Sequence, residues 1–323
     1  MSQPETAPTR DLSDARISVV IPTYCSASVL GTAIRSVLDQ TFGVLEIIVV
    51  DDGGPKDDPT EALCATFGDM VRYVRRPHDG ASAARNHGAR IARGEWLAFL
   101  DADDVWEAEK IETQIAALEQ HADGDFCITA SRCWSVAHRR YEVMTYRGSL
   151  DPREIQRQLL VRNVFTGLNS SILVTRQAFE AAGGFALGRA AEDRRLGLAL
   201  LERHRGVIVD EPLVRQQPGP VSWRDPEIQR RAQQLLIEEH ASLFQRLDPS
   251  GRLLRRSVAR MHERAGMHYL ENGDGRRAAR DLLHSVALWP FQRNPWLVLV
   301  NASLGRLAVP RGQRRRGTAV GKA

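Results

Sequence analysis

Residues 96–106 read WLAFLDADDVW, a short apolar run from Trp96 to Leu100 that ends in Asp101, Asp103 and Asp104. Burying a strand that stops on clustered negative charge is costly unless something at its end uses that charge. Working outward, the same arrangement recurs. LEIIVV (45–50) runs into Asp51, Asp52, Gly53 and Gly54, and ISVVI (17–21) runs into Pro22, Thr23 and Tyr24. VRYV (71–74) and DFCITA (125–130) are further segments of the same kind. Between the runs lie SASVLGTAIRSVLDQ, DDPTEALCATF, ASAARNHGARIAR and EAEKIETQIAALEQH. Val29, Ala33, Ile34 and Val37 repeat at helical spacing in the first, and Ile111, Ile115 and Leu118 in the last. Continuous apolar strands alternating with helices predict an α/β fold, a Rossmann-like, mainly parallel sheet with helices on both faces. Right-handed crossovers put every parallel strand's C-terminal end on one rim, where such sheets bind ligands. Asp51, Asp52, Asp101 and Asp103 are expected on that rim, with Pro22 and Tyr24 beside them.

After Asp151 the pattern changes. RNVFTGLNSSILVTRQAFEAAGGF reads as a loop, a strand at 171–174, a helix and a Gly183-Gly184 turn. AEDRRLGLALLERH is a helix opened by Glu192 and Asp193, with Leu196, Ala199 and Leu200 on one face, and GVIVDEPLV reads as an edge strand. Past the Pro- and Gly-rich RQQPGPVSW the chain is helical, and RAGMHYLENGDGRRAARDLLHSVALWP has the outline of one tetratricopeptide-like helix pair. The expected organisation is a disordered start (1–15), a main domain (16–222), a C-terminal helical region (223–308) and a flexible basic tail (309–323).

The 323 residues carry a net charge of +4, supplied almost entirely by arginine, since lysine occurs only at Lys56, Lys110 and Lys322. No Arg-rich helix with interleaved aromatics appears in the body of the chain, so no nucleic-acid partner is expected. Cys25, Cys64, Cys127 and Cys133 lack the CxxC spacing of a zinc site or disulfide framework and suit a reducing compartment. The polar start MSQPETAPTRDLSDAR is neither signal peptide nor anchor, and no apolar run is long enough to span a bilayer. These features predict a cytoplasmic protein.

Carboxylates at i and i+2 on a sheet rim suit a hard cation, Mg²⁺ or Mn²⁺, that takes its other ligands from phosphate and water. The same acids would equally serve as first-turn residues of the next helix. Asp51-Asp52-Gly53-Gly54 fits a carboxylate that accepts from a base or ribose beside glycines that let a ligand approach; an ordinary Asp-Gly turn reads the same way. GASAARN (80–86) opens a helix whose N-terminus, with Arg85, can meet a phosphate, or Ser82 is simply its cap. Asp193 can be a general base if it faces the metal site, or an N-terminal helix acid if it does not.

Taken together, ISVVIPTY, SVLDQTFGVLEIIVVDDGG, GASAARNHGARIARGEWLAFLDADDVW, SSILVTRQAFEAAGGF and AED resemble family 2 glycosyltransferases of the GT-A fold over residues 17–222. The resemblance implies an inverting enzyme with a nucleotide-diphosphate sugar donor, most often a UDP-sugar, and a carbohydrate or lipid-linked acceptor. It also implies roles. Pro22 and Tyr24 would border the nucleoside, with Asp52 on the base and Asp51 alongside. Arg85 would serve the diphosphate. Asp101 and Asp103 would form the D-x-D metal element, with Asp103 the more direct ligand, and Asp193 would be the catalytic base. Bacterial polysaccharide or glycolipid synthesis is the usual setting. Cys25 and Gly54 stand where the family usually has Asn and Ser, and RRLGLALL after Asp193 replaces its aromatic-rich pattern, a departure that bears on acceptor identity more than on catalysis.

FLDADDV also fits the nucleophile motif of haloacid-dehalogenase-like phosphatases, with Asp101 phosphorylated, but that chemistry needs a separate downstream lysine. A nucleotide-sugar-binding protein that has lost turnover is a further alternative. NPWLVLVNASLGRLAVPRGQRRRG joins an apolar stretch to Arg311, Arg314, Arg315 and Arg316, which suits a peripheral contact with an anionic membrane surface.

Overall fold

The computed structural model describes residues 9–135, 139–165, 167–188, 191–217 and 225–291, with 295, 296, 298 and 299. The expected boundary at 222 and the basic tail, with its membrane contact, lie outside those residues, as does most of the N-terminal segment. The chain divides into two compact units, 1–159 with 163–219, and 160–162 with 220–323.

Strands of the first unit are β1 (Ile17–Thr23), β2 (Glu46–Asp51), β3 (Val71–Arg75), β4 (Trp96–Phe99), β5 (Val105–Trp106), β6 (Gly124–Ser135), β7 (Arg140–Met144), β8 (Ile172–Thr175) and β9 (Arg205–Gln216). They form one sheet in the order β3-β2-β1-β4-β8-β6-β9-β5, with β7 paired to β6. The first four are parallel, β8 runs against both its neighbours, and β6 and β9 are parallel again. The sheet is thus mainly parallel, with three reversed strands, β8 inside it and β5 and β7 at its margins, that the apolar pattern does not reveal. β9 is not the plain edge strand expected, because β6 lines one side and β5 covers Val214 and Arg215 on the other. β6 also continues past Ala130 to Ser135, where polar residues pair with β7 and leave no apolar signature.

Helices of this unit are α1 (Ala27–Leu38), α2 (Thr60–Ala65), α3 (Ala81–Ile91), α4 (Lys110–Glu119), α5 (Pro152–Val161, which continues into the second unit), α6 (Leu168–Ser171), α7 (Arg176–Ala181) and α8 (Glu192–Arg203). Strand alternation assigns them to faces. Val19, Ile21, Ile47 and Val49 share a core with Leu30, Ala33, Ile34 and Val37 of α1 and Ile111, Ile115 and Leu118 of α4. Val20 and Val50 point the other way, against Gly88 of α3, where an added Cβ would come within 2.4 Å of Val20 Cγ1. Both faces are therefore covered. The apolar stripe of α1 includes Leu30, fully buried, rather than Val29, which is 40% exposed. Each such Leu or Ile contributes roughly 1.5–3 kcal/mol by leaving water.

In the second unit α9 (Pro226–Glu239), α10 (Ala241–Leu247), α11 (Arg252–Glu271) and α12 (Gly275–Leu288) follow one another. Asp225 caps α9 by accepting from the N–H groups of Glu227 and Ile228, and Pro226 sits where no donor is needed. Helices α11 and α12 form the expected helix pair. Gly266 permits the close contact, since a Cβ there would stand 2.8 Å from Leu282 Cγ. Asp281 is buried between Arg230, which donates twice at 3.0 and 2.9 Å, and His262 at 2.6 Å. Among the described residues no helix is long and apolar enough to cross a membrane.

Candidate functional site

The three aspartates after β4 have separate fates. Asp104 turns inward: its carboxylate accepts from Ser170 Oγ at 2.6 Å, Gln216 Nε2 at 3.3 Å and the Gln217 N–H at 3.2 Å. Ser170 Oγ in turn accepts from the Asp101 N–H at 3.1 Å, and Trp106 Nε1 donates to the Ser170 carbonyl at 2.7 Å. Asp104 thereby ties the loop after β4 to α6 and the end of β9. Burial, and then the charge of Asp101, push its carboxyl up to about 7. Asp101 and Asp103 remain at the rim. Helix α4 starts only at Lys110, so neither is a helix cap. Asp103 is an exposed residue by accessible surface, yet enough protein surrounds its carboxylate that desolvation, then Asp101, raises its pKa.

Arg85 of α3 is the counter-charge. Its guanidinium donates to Asp101 Oδ1 and lies over the Phe185 ring, 5.2 Å from the centroid. The residue is 3% exposed, and among the described residues Nε and Nη1 have no hydrogen-bond partner. Burial opposes its charge, but Asp101, Glu192 and Asp193 outweigh that penalty and raise its pKa, so it stays cationic. Asn86, next in sequence, clamps Phe185 through both backbone groups, at 2.7 and 2.9 Å. Gly184 allows this turn: its φ is +69°, and a Cβ there would meet Asn86 Oδ1 at 2.7 Å. The cap of α3 is Gly80, and Ser82 is buried inside the helix rather than capping it.

Glu192 and Asp193 occupy the first turn of α8, whose preceding residue, Ala191, has φ +56° and makes no side-chain cap. Their carboxylates meet two asparagines instead. Asn163 Nδ2 donates to Asp193 Oδ2 at 2.5 Å, and Asn169 Nδ2 to Glu192 Oε1 at 3.3 Å. Asp193 Oδ1 accepts from the Arg194 N–H at 2.7 Å. Burial, followed by the charge of Asp193, raises the pKa of Glu192. Burial also raises Asp193, against the opposing pull of Arg194, Asn163 and Arg85.

At the other end of the rim, Asp51 closes β2. It accepts from the Gly54 N–H at 3.0 Å and from Tyr73 Oη at 2.6 Å. Asp52 accepts from Arg76 at 2.7 Å and from the N–H groups of Asp79 and Gly80. Gly53 has φ +79°, and a Cβ there would lie 2.7 Å from the His78 backbone nitrogen. Pro22 is buried inside β1, which runs to Thr23, and lies beyond the pairing with β4, where a missing donor costs nothing. Tyr24 is half exposed, and its ring meets His78 at 4.6 Å.

The structure thus brings Asp101, Arg85, Glu192 and Asp193 into one electrostatic cluster with Asp103 at its edge, and gathers Asp52 and Tyr24 around His78 while Asp51 turns to Tyr73 and Gly54. Sequence reasoning missed Asn163, Asn169, Ser170, Asn86 and Phe185. RNVFTGLNSS (162–171) read as a loop, but nothing in it marks which side chain reaches which acid. Lys110 does not serve Asp101. It is fully buried, donates from Nζ to Gln114 at 2.7 Å and lies over the Trp106 ring, and burial lowers its pKa to about 7. The phosphatase reading loses the lysine it needs there.

A parallel sheet with acids on its ligand-binding rim is the architecture of the GT-A glycosyltransferases, and solved structures agree. The mannosyltransferase PcManGT from Pyrobaculum calidifontis, solved with GDP-Man and Mn²⁺, matches with a TM-score of 0.57 at 17% identity, over 95% of this chain and 85% of that one. S. aureus TarS 1–349, solved with UDP-GlcNAc, matches with 0.56 at 15% identity, over 91% and 93%. Residues 18–183, just over half the chain, match Glycosyl transferase family 2, and the chain belongs to that family. A Haemophilus influenzae protein described as an uncharacterized glycosyltransferase is 30% identical over 190 residues, 58% of this chain and 62% of that protein. Escherichia coli WfgD, a UDP-Glc:alpha-D-GlcNAc-diphosphoundecaprenol beta-1,3-glucosyltransferase, is 34% identical over 109 residues, 33% and 42% of the two chains. The matched regions span only 15% to 35% of the length of five Rickettsia relatives.

Proposed function

We propose that this chain is a metal-dependent inverting glycosyltransferase that moves a sugar from a UDP-sugar to a hydroxyl of a carbohydrate or lipid-linked acceptor. The carrying observation is the buried Arg85 guanidinium, which couples the rim acids Asp101 and Asp103 to the Glu192–Asp193 pair and keeps two nitrogens without a partner among the described residues. Family membership, the donors bound by TarS and PcManGT, and the UDP-Glc donor in the name of WfgD support the donor class.

The residues fit a divalent cation. Asp101, Glu192 and Asp193 surround the buried Arg85, and the pKa values of Asp103 and Asp104 are raised first by burial and then by the charge of Asp101, so the acids here exceed the cations that balance them. Asp103, with Asp101, would hold Mg²⁺ or Mn²⁺; among the described residues no larger cage of His, Cys, Asp and Glu is present, so phosphate and water would supply the remaining ligands. When bound, the cation neutralises charge on the departing diphosphate. Arg85 offers its open donors to the same phosphates, as the planar guanidinium suits. Asp193 accepts the proton of the acceptor hydroxyl as that oxygen attacks the anomeric carbon from the face opposite the leaving group, which inverts the centre. Tyr24 borders the nucleoside, backed by Pro22, Asp51 and Asp52. The lipid-linked acceptor of WfgD favours polysaccharide or glycolipid synthesis at the inner membrane face, where the basic C-terminus would make a peripheral contact.

Thermal shift with UDP and GDP, with and without Mn²⁺, tests this reading. A nucleotide at 100 times its Kd stabilises by about 2.7 kcal/mol. Mn²⁺-dependent stabilisation by UDP, lost in Asp103→Ala, is expected. A folded protein that responds to no nucleotide overturns the reading together with the inactive nucleotide-sugar-binding alternative; nucleotide binding without turnover leaves that alternative.

A further inference from the structure

We propose that Asn163 is a positioning residue for the base, its side-chain amide fixing the Asp193 carboxylate in one orientation and holding it in the ionised form. The proposal rests on the reading of Asp193 as base. The hydrogen bonds leave one assignment of the amide. The Phe165 N–H donates to Asn163 Oδ1 at 3.1 Å, and a backbone N–H can only donate, so the oxygen must face it. Nδ2 is then the atom 2.5 Å from Asp193 Oδ2. With the Arg194 N–H on Oδ1, each carboxylate oxygen is held by one donor and keeps a lone pair for the acceptor hydroxyl.

The loop that carries Asn163 is itself anchored. An Asn side chain that accepts from the N–H two residues on forms a local turn. Phe165, at the far end of that turn, is buried, and its ring lies, with Leu159 and Leu168, at van der Waals distance (3.5–3.7 Å) from the Cβ position of Gly197, so the loop packs on the helix that presents Asp193. The amide therefore reaches the carboxylate from a packed base. The charged groups around Asp193 are Arg85 from α3, and Glu192 and Arg194 from its own helix. Arg85 is shared with Asp101, and Glu192 adds like charge. Burial favours the protonated acid; the Arg194 backbone N–H and the Asn163 side-chain N–H are the neutral donors that oppose it, and of these Asn163 is the one a substitution can remove.

The experiment compares the full-length wild type with Asn163→Ala and Asn163→Asp. The second keeps the shape but has no N–H to give when ionised, and it decides the matter should the first not fold. Carboxyl ¹³C NMR follows the Asp193 titration, assigned by its loss in Asp193→Asn. Hydrolysis of UDP-glucose and UDP-GlcNAc with Mn²⁺, water serving as acceptor, gives the pH profile of kcat. The expected result is a titration midpoint about one pH unit higher in Asn163→Ala and higher still in Asn163→Asp. The acid limb of kcat should move with it, a loss of about tenfold below the midpoint that recovers at higher pH, with KM for the donor unchanged. An unmoved midpoint in folded protein, or a rate loss equal at every pH, overturns the proposal while the transferase reading stands. A wild type that turns over neither donor, or a midpoint that moves without the rate profile, overturns it through the base reading.

Discussion

The two acidic ends of the rim are built in opposite ways. At Asp51 and Asp52 every carboxylate oxygen has a donor, supplied by Tyr73, Arg76 and the N–H groups of Gly54, Asp79 and Gly80. At Asp101, Asp103, Glu192 and Asp193 the acids outnumber their cations, burial raises the pKa values of Glu192 and Asp193, and Arg85 keeps two nitrogens unpartnered among the described residues. The first cluster shapes a wall that is complete without a ligand. The second carries charge that metal and phosphate would relieve, the pattern of a site where stability is traded for function.

This contrast can be broken by substitution. The largest expected effect is on chemistry: Asp193→Asn should lower donor turnover by about 10²–10⁴-fold while UDP binding, read by calorimetry, is unchanged. Next, Asp52→Ala should destabilise the fold by about 1–3 kcal/mol in urea, because it removes the buried carboxylate that Arg76 and the N–H groups of Asp79 and Gly80 donate to. Should Asp52→Ala leave stability intact and abolish only donor binding, the two clusters are alike and the contrast fails.

A third effect is pH dependence. Asp104 has a folded pKa of about 7 against 3.8 for the free side chain, so the native state binds its proton more tightly than the unfolded chain does. Its contribution to stability is therefore greatest at acid pH and is lost as pH rises from about 4 through 7, with a slope of at most about 1.4 kcal/mol per pH unit. Urea titrations in chelator at pH 5, 6, 7 and 8 should show this slope, and Asp104→Asn should flatten it. The smallest effect sharpens the contrast: Asp103→Asn should raise metal-free stability by about 0.5 kcal/mol, since it removes one of the crowded charges of an exposed residue, and should abolish Mn²⁺-dependent stabilisation.

Much of this arrangement was legible in the chain. Ile17–Ile21, Leu45–Val50 and Trp96–Leu100 are largely apolar on both sides because strands covered on both faces must be, Val71–Val74 is the more polar strand at the sheet's edge, and the observed bounds of all four differ by at most two residues. Asp51 and Asp101 stand at strand ends because parallel topology places them there. The reversed β8 and the extension of β6 were not legible: a strand's direction leaves no mark on its composition, and Ser131–Ser135 pair through backbone groups that any sequence has. Val29 for Leu30 was an error of one residue in phase, within what helical periodicity resolves.

Local chemistry therefore determined the layered sheet, the rim and the acids on it, because burial patterns and strand ends are written residue by residue. Tertiary structure alone decided what each acid does. Asp104 anchors a loop while Asp101 faces Arg85, though the two differ by only three positions, because Ser170 and Gln217 arrive from distant segments. Asn163 reaches Asp193 from 30 residues away for the same reason. A hydrogen bond depends on where two groups meet in space, and a sequence records only where they lie along the chain.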